Sequence, residues 1–271
     1  MQYVLFTDNL ASLKIADVCR EAKRAGFDGL DVTMRPGGHV PPENAEVGLA
    51  EAKRIADAEG VTIPMVTTGV TDVDTPHAEA VFAAAAHYGA RRLKLGYWKY
   101  KPFGTILKQI DDARTKLERI ARLAEKYNVV ASVHIHSGDV LANGGPMLYL
   151  ILRGFEPAKH VAAYVDPMHM TAEGGIMGWE MGLDLLAPWV ALVGVKNFRW
   201  KEKGRDEKGQ LRFAPEYVAL QDGQAPLPDF VARLREIKYD GVVSLHSEYK
   251  GITVPELLEQ SRKDLAYFKT L

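Results

Sequence analysis

The sequence predicts a single (β/α)8 barrel, a TIM barrel, over residues 1–271. Apolar runs of strand length begin at eight places, near residues 3, 29, 63, 92, 129, 161, 190 and 242, and helical stretches separate them. Eight such units in 271 residues match the usual size of this fold, roughly 250 residues. Three of the later runs carry polar groups only at their C-terminal ends, where the active site of such a barrel lies.

The helical stretches between the runs show an amphipathic pattern. The clearest one has apolar residues at alternating steps of four and three, which places them on one helix face against a sheet. These residues are Ile106, Ile110, Ala113, Leu117, Ile120, Ala124 and Tyr127. The first helix contains Cys19, the only cysteine. Cys19 cannot form an intrachain disulfide, and its place on an apolar helix face predicts a core residue.

Composition and charge indicate a globular protein and exclude few functions. The chain is 47% hydrophobic and has a formal net charge of -1, so it offers no general attraction for a polyanion. We therefore expect no nucleic-acid partner. No apolar run reaches the length of a membrane span and no basic leader precedes the first strand, so we expect a cytoplasmic protein without a membrane partner. A homo-oligomer remains open at this point.

One segment, residues 201–229, interrupts the alternation of strands and helices, and we expect it to form a long loop or lid. It follows the seventh strand on the expected active-site side, and it contains three prolines together with Phe213 and Tyr217. Segments of this length are often functional, and the interleaved apolar residues predict an ordered lid or a subunit arm. The alternative is a solvated insertion, with the charged run 201–208 as its tip.

Polar side chains gather at the ends of the later strands. Because side chains two apart on a strand share a face, His134 points to the same side as His136, and His246 to the same side as Glu248. We therefore expect one polar cavity in the barrel mouth. The alternative is that each histidine is an ordinary hydrogen-bonded core residue. The candidates are His134, His136, Asp166, His169, Lys196, His246 and Glu248.

Three of these side chains suit a metal ion. His134 and His246 with Asp166 would give two imidazoles and a carboxylate, a set that binds a single Mn, Fe, Co or Zn ion and leaves positions open for substrate. Gly194 would leave room where a fourth ligand would stand. A lysine ammonium can supply the same positive charge. Lys196 is therefore the alternative to the metal ion, and the sequence leaves this choice open.

Three further residues are candidates for substrate binding. Lys94 ends the fourth strand and Trp98 follows it, while Trp200 follows the seventh strand. An aromatic face packs against the C–H surface of a sugar ring, and polar neighbours bind its hydroxyls. The alternatives are an outward-facing Lys94 and ordinary packing of both tryptophans between loops and helices. His39, in a glycine-rich loop after the second strand, is a weaker candidate.

Three short motifs resemble one known family. Residues 26–31, GFDGLD, resemble the start of its second strand, and residues 239–245, YDGVVSL, the start of its eighth. Asp166, followed by His169 and by Glu173-Gly174-Gly175, resembles its sixth-strand motif. Together they are similar to the xylose-isomerase-like TIM-barrel superfamily of sugar phosphate isomerases and epimerases over nearly the whole chain. The resemblance implies a TIM barrel and a small-molecule sugar or sugar derivative as partner.

The chain departs from this family at the metal ligands. Metal-dependent members present Glu, Asp, His and Glu from strands five to eight, and both glutamates also move protons. At the corresponding positions this chain has His134, Asp166, Gly194 and His246. Only the aspartate is retained, so the two-glutamate proton transfer of the family cannot be assumed.

The favoured interpretation is a sugar isomerase or epimerase that moves a proton next to a carbonyl. A metal ion, or Lys196 in its place, would polarise the carbonyl and stabilise the enediolate. His136, His169 or Glu248 would move the proton, since a neutral imidazole is a usable base at neutral pH. Two alternatives stay open. One is a keto-sugar lyase, hydratase or glycoside β-eliminase, and the other is a catalytically silent sugar-binding barrel.

Overall fold

The structure, a computed structural model, describes all of residues 1–271. Eight parallel strands form a closed barrel and eight helices accompany them, which confirms the predicted (β/α)8 barrel. An antiparallel hairpin of two further strands follows the seventh barrel strand. The barrel strands are β1 Gln2–Phe6, β2 Gly29–Met34, β3 Thr62–Thr68, β4 Arg92–Lys94, β5 Val130–His134, β6 Val161–Val165, β7 Val190–Val195 and β10 Val242–Leu245.

The helices follow the strands as the periodicity predicts. None of them combines the length and the apolar character needed to cross a membrane. Around the barrel the order of hydrogen-bonded strands is β1-β10-β7-β6-β5-β4-β3-β2. The helices are α1 Ile15–Ala25, α2 Ala45–Glu59, α3 Ala78–His87, α4 Ile106–Tyr127, α5 Gly145–Leu152, α6 Pro167–Leu186, α7 Leu227–Glu236 and α8 Val254–Phe268.

Two hydrophobic clusters hold the barrel. The larger has 61 buried residues, contributed by the barrel strands and by the inner faces of the helices, and Cys19 is one of them as predicted. A separate cluster of five buried residues brings together Val4, Met65, Tyr164, Leu192 and Val242. All five belong to barrel strands. The buried polar side chains concentrate toward the C-terminal ends of the strands, so the site lies above a closed apolar floor.

Close backbone packing explains the GFDGLD motif. Gly26 ends α1 with φ of 88°, a left-handed conformation that favours glycine. A Cβ on Gly29 would lie 2.4 Å from the carbonyl oxygen of Thr62. Gly29, the second glycine of the motif, therefore permits the close approach of β2 to β3.

Residues 201–229 do not form one long loop, which corrects the sequence-based boundary. Strands β8 (Asn197–Arg205) and β9 (Leu211–Val218) pair as an antiparallel hairpin, and α7 begins at Leu227. The Asn197 side chain donates to the Leu220 carbonyl at 2.7 Å and accepts from the Ala225 amide at 2.9 Å. These bonds hold both ends of the hairpin at the barrel rim. The lid or subunit-arm role stays a prediction.

Candidate active site

The predicted polar residues converge at the C-terminal mouth of the barrel. A cavity of about 210 Å³ opens there, and Asp166, His169 and Lys196 lie buried beside it. Four buried polar atoms in this region have no partner: Nε2 of His134 and of His169, Oδ2 of Asp166 and Nδ1 of His246. Unpartnered buried polar atoms are costly, and their concentration at one place is typical of a ligand site. The cavity is lined by Phe6, Arg35, Thr67, Lys94, Tyr97, His134, His136, His246 and Glu248.

Asp166 occupies the centre of the unpartnered group. Its Oδ1 accepts from the amides of Met168 and His169, at 2.9 and 3.3 Å, and caps α6. Its Oδ2 faces three nitrogens: His134 Nε2 at 3.7 Å, His169 Nε2 at 3.8 Å and Lys196 Nζ at 4.0 Å. Burial raises the pKa of Asp166 to about 7, against the opposing attraction of Lys196. Asp166 can therefore take or release a proton near neutrality.

The buried Lys196 and the partly exposed Glu248 form an ion pair. Nζ of Lys196 donates to Oε2 of Glu248 at 2.8 Å. Burial alone would raise the pKa of Glu248, but the charge of Lys196, the nearby His246 and the hydrogen bond from Lys196 together outweigh burial and lower it to about 2. Burial likewise opposes the charge of Lys196, yet Glu248 and Asp166 hold its pKa above the usual value. Both groups are charged at neutral pH, which makes Glu248 a weak base.

His136 lines the cavity and has one nitrogen with a free lone pair. Its Nδ1 lies 2.9 Å from the carbonyl oxygen of Ser137, and a carbonyl can only accept, so Nδ1 carries the proton. In the neutral ring Nε2 is then unprotonated. Burial, followed by the repulsion of Lys196, lowers the pKa of His136 to about 4. The ring is therefore neutral at physiological pH, with Nε2 available as a base.

His169 has the opposite tautomer. The backbone amide of Ser137 donates to its Nδ1 at 3.1 Å, and the Ser137 hydroxyl lies 2.7 Å from the same nitrogen. A backbone N–H can only donate, so Nδ1 is unprotonated and the proton of the neutral ring lies on Nε2. Burial holds the pKa of His169 well below its usual value. This buried imidazole offers an N–H donor toward Asp166.

Two tyrosines that the sequence analysis did not select orient the other two histidines. The Tyr97 hydroxyl lies 3.0 Å from Nδ1 of His134, and the Tyr164 hydroxyl lies 2.8 Å from Nε2 of His246. Tyr164 is fully buried and points inward from β6. Its place in an otherwise aliphatic run, two residues before Asp166, was the signal that could have identified it.

A third residue missed by sequence reasoning is Asp31, at the inner wall of β2. Its carboxylate accepts from the hydroxyls of Thr67 at 2.8 Å and Ser244 at 2.9 Å. Burial raises the pKa of Asp31 to about 6, although both hydrogen bonds oppose the shift. Asp31 lies within 4.0 Å of Nε2 of His246. The acidic residue inside the apolar run of GFDGLD was visible in the sequence.

The predicted metal ligands do not fit a single ion. Nε2 of His246 is bonded to Tyr164, and a Cβ on Gly194 would lie 3.1 Å from the Tyr164 ring, so this ring occupies the expected ligand space. The remaining nitrogens near Asp166 include the Lys196 ammonium, which would repel a cation. No three His, Cys, Asp or Glu side chains are arranged to hold a metal ion.

The predicted substrate-binding residues lie in different surroundings. Lys94 is buried and lines the cavity. Trp98 is 8% exposed and its Nε1 donates to the Thr71 carbonyl at 2.9 Å, which is the packing expected of a loop anchor. Trp200 is 46% exposed on β8 and packs edge-on against Phe198. Neither tryptophan is among the residues that line the cavity.

The chain resembles known proteins in sequence pattern and in fold. A family model described as xylose isomerase-like TIM barrel matches residues 19–271. No curated protein sequence matches significantly. The solved 3-keto-D-glucoside 4-epimerase YcjR of E. coli is similar with a TM-score of 0.75 and 14% identity, over 100% of both chains.

Two further solved structures share the fold. The probable 3-DHS dehydratase AsbF of Bacillus anthracis has a TM-score of 0.73 and 16% identity, over 98% of this chain and 99% of that one. A xylose isomerase-like TIM barrel protein of Mycobacterium smegmatis, in complex with magnesium, has a TM-score of 0.68 and 14% identity. That match covers 99% of this chain and 97% of the other. At such identities the likeness shows the fold alone.

Proposed function

The chain belongs to the xylose isomerase-like TIM-barrel family, and from this premise we propose that it is a sugar isomerase or epimerase. It acts on a sugar or sugar derivative by moving a proton at the carbon next to a carbonyl. The observation that carries the proposal is the pair of opposite tautomers at the mouth, His136 with a bare Nε2 and His169 with a protonated one. A base and a hydrogen-bond donor side by side are what this chemistry needs.

The substrate class is supported by the polar cavity and by the names of similar structures. The cavity walls mix imidazole, carboxylate and ammonium groups with few apolar side chains, a lining suited to a molecule with many hydroxyls. One similar structure is a 3-keto-D-glucoside epimerase and another a probable dehydratase. A keto-sugar or an open-chain ketose therefore fits the proposal.

His136 is the proposed base in this reaction. Its Nε2 removes the proton from the carbon beside the carbonyl and returns it to the same or the adjacent carbon. Because the Ser137 carbonyl keeps the proton on Nδ1, the lone pair of Nε2 stays directed away from that bond. The low pKa of His136 keeps the ring unprotonated before substrate arrives.

His169 and Lys196 are the proposed donors for substrate oxygens. Both nitrogens face Oδ2 of Asp166 from beyond hydrogen-bond distance, at 3.8 and 4.0 Å. An oxygen bound here would receive two N–H donors as negative charge develops on it, and a neutral imidazole can polarise a carbonyl in this way. Glu248 keeps Lys196 charged and in position. Asp166, with its pKa near 7, relays protons to and from the bound oxygen.

These donors disfavour a divalent metal ion as the source of positive charge. The sequence-based expectation of such an ion stays a prediction, and the magnesium complex is that of a similar structure. Because Nε2 of His169 and Nζ of Lys196 both bear protons toward Asp166, that space suits an oxygen atom better than a cation. The proposed steps therefore depend only on side chains.

A keto-sugar lyase is the second candidate. The same C–H proton is removed, but a proton is then delivered to a departing hydroxyl group rather than back to carbon. The feature that favours it is Asp166, whose pKa of about 7 leaves part of the population protonated and able to donate at neutral pH.

Solvent isotope exchange tests the proposal. The protein is incubated in deuterated water with a panel of aldoses, ketoses and keto-glycosides, and deuterium uptake and products are followed by NMR. Deuterium next to the carbonyl with an intact carbon skeleton supports an isomerase or epimerase. Loss of a hydroxyl or glycoside group selects the lyase, and binding without exchange selects a silent sugar-binding barrel.

A further inference from the structure

Lys94 is a buried amine without a counter-ion. It ends β4, is 3% exposed and lines the 210 Å³ cavity. Its Nζ takes part in none of the side-chain hydrogen bonds or ion pairs, and its close contact is the face of the Tyr97 ring, 3.5 Å from the ring centroid. Lys196, in contrast, is equally buried but bonded to Glu248. A purely structural buried lysine needs a partner of that kind, and Lys94 has none.

The surroundings of Lys94 favour the neutral amine. Burial lowers its pKa to about 7, and the nearby Arg35 guanidinium adds to this, while Asp31 opposes the shift. Arg35 is itself paired with Asp8, so it is held in place beside the cavity. A desolvated lysine next to another cation is the usual setting of an amine nucleophile.

We propose that Lys94 is a covalent catalyst whose Nζ captures the carbonyl carbon of the substrate as an imine. The inference rests on the proposed sugar-carbonyl function and deepens it: the imine nitrogen takes over from the carbonyl oxygen as electron acceptor for proton removal, and the donors His169 and Lys196 then bind the hydroxyl oxygen on the neighbouring carbon. Lys94 and His136 both line the same small cavity, so the captured carbon lies beside the proposed base.

The step is balanced with water as the only other reactant. The Nζ lone pair attacks the carbonyl carbon, the π electrons of the C=O bond move to oxygen, and one proton passes from the new N–C nitrogen to that oxygen, which leaves a neutral carbinolamine with its nitrogen lone pair free. The carbinolamine oxygen takes a second proton and leaves as water, and the nitrogen lone pair forms the C=N bond of a protonated imine. His136 then removes the adjacent C–H proton, whose electron pair moves toward nitrogen to give an enamine. Reprotonation on carbon and hydrolysis return the amine and the carbonyl product.

Borohydride trapping tests the covalent step. Wild-type protein is mixed with D-erythrulose, a ketose that cannot close to a stable ring, and sodium borohydride is added to reduce any C=N bond to a stable secondary amine. Peptide mass spectrometry then locates the adduct. We expect it on Lys94, with loss of the adduct in Lys94→Arg, which keeps a cation but not the nucleophile. Lys99→Met, at an exposed lysine on the following loop, is the matched control and should trap as wild type does.

Three results would overturn the inference. One is an adduct spread over surface lysines with no excess on Lys94, and another is equal trapping by wild type and Lys94→Arg. The third is full isotope exchange in Lys94→Arg, which would leave the proposed function standing and reduce Lys94 to a binding residue. Absence of exchange in wild type with every sugar would instead count against the proposed function itself. The position of the adduct in the wild type does not depend on whether the variants fold.

Discussion

The ring centroids of His136 and His169 lie 4.0 Å apart, and the backbone of Ser137 is hydrogen-bonded to both rings. The Ser137 carbonyl accepts from His136, and the Ser137 amide donates to His169. One residue thus fixes a base and a donor in adjacent rings. This relationship depends on backbone groups, whose donor and acceptor roles are invariant.

We expect the two rings to differ in tautomer in solution. Nitrogen-15 NMR of histidine-labelled protein at pH 7 should show the proton of His136 on Nδ1 and that of His169 on Nε2. Ser137→Ala retains both peptide groups and removes only the hydroxyl, so the tautomers should persist in that variant. The same tautomer in both rings of the wild type would refute the assignment.

Lys196→Met should lower turnover strongly with little effect on substrate affinity. The variant removes one preorganised donor, and a loss on the order of a hundredfold in kcat is expected for such a group. Steady-state kinetics with the sugar identified by isotope exchange gives the measurement, with the melting temperature recorded beside it. Lys99→Met controls for the loss of a lysine. Full activity in a folded Lys196→Met protein would reject the role.

Acid should destabilise the fold through His246. Burial, followed by repulsion from Lys196, lowers the pKa of His246 to about 3. A group with a lowered folded-state pKa contributes stability above its unfolded pKa, and this contribution is lost as pH falls toward the folded value. Between pH 7 and pH 5, wild type should lose about 2 kcal/mol of unfolding free energy relative to His246→Gln.

The comparison with His246→Gln is needed because two buried carboxyls change the unfolding free energy with pH in the opposite direction. Burial raises the pKa values of Asp31 and Asp166 to about 6 and about 7. Their contribution is present below the unfolded carboxyl pKa and is lost as pH rises through these values. Both carboxyls are common to the two proteins, so their effect cancels. Denaturant titrations that show no change in the difference between the proteins would contradict the buried neutral state of His246.

Elemental analysis should find well under one divalent ion per chain, and a chelator should leave turnover intact. The physical reason is the protonated nitrogens of His169 and Lys196 that face Asp166. Protein grown with added manganese, cobalt, iron or zinc provides the most demanding version of the test. An equimolar ion that is lost in both His134→Ala and His246→Ala, together with turnover, would instead support the sequence-based ligand set.

The barrel was predictable because each buried parallel strand is an apolar run with polar residues only at its end. The hairpin β8–β9 was not, since much of it is exposed and its strands mix charged and apolar residues, which removes the alternation that marks a half-buried strand. Trp200 belongs to this hairpin and does not line the cavity. Because the hairpin was not predicted, the position of Trp200 was not predicted either.

The site was predictable in location more than in chemistry. The period of two paired His134 with His136 and His246 with Glu248, and all four side chains line the cavity. The sequence could not show that Tyr164, from β6, fills the space above Gly194, because that contact crosses between strands. Nor could it assign the tautomers, which depend on the backbone geometry of Ser137.

The most direct test of the account is solvent exchange by wild type and His136→Asn in deuterated water with the same sugar. Asparagine can still donate to the Ser137 carbonyl, but it offers no imidazole lone pair. His39→Asn is the matched control, because His39 lies outside the cavity with its Nε2 3.2 Å from the Leu13 carbonyl oxygen. We predict that His136→Asn slows exchange by about 10²- to 10⁴-fold while His39→Asn leaves it unchanged. Exchange at the wild-type rate in folded His136→Asn would contradict the central claim.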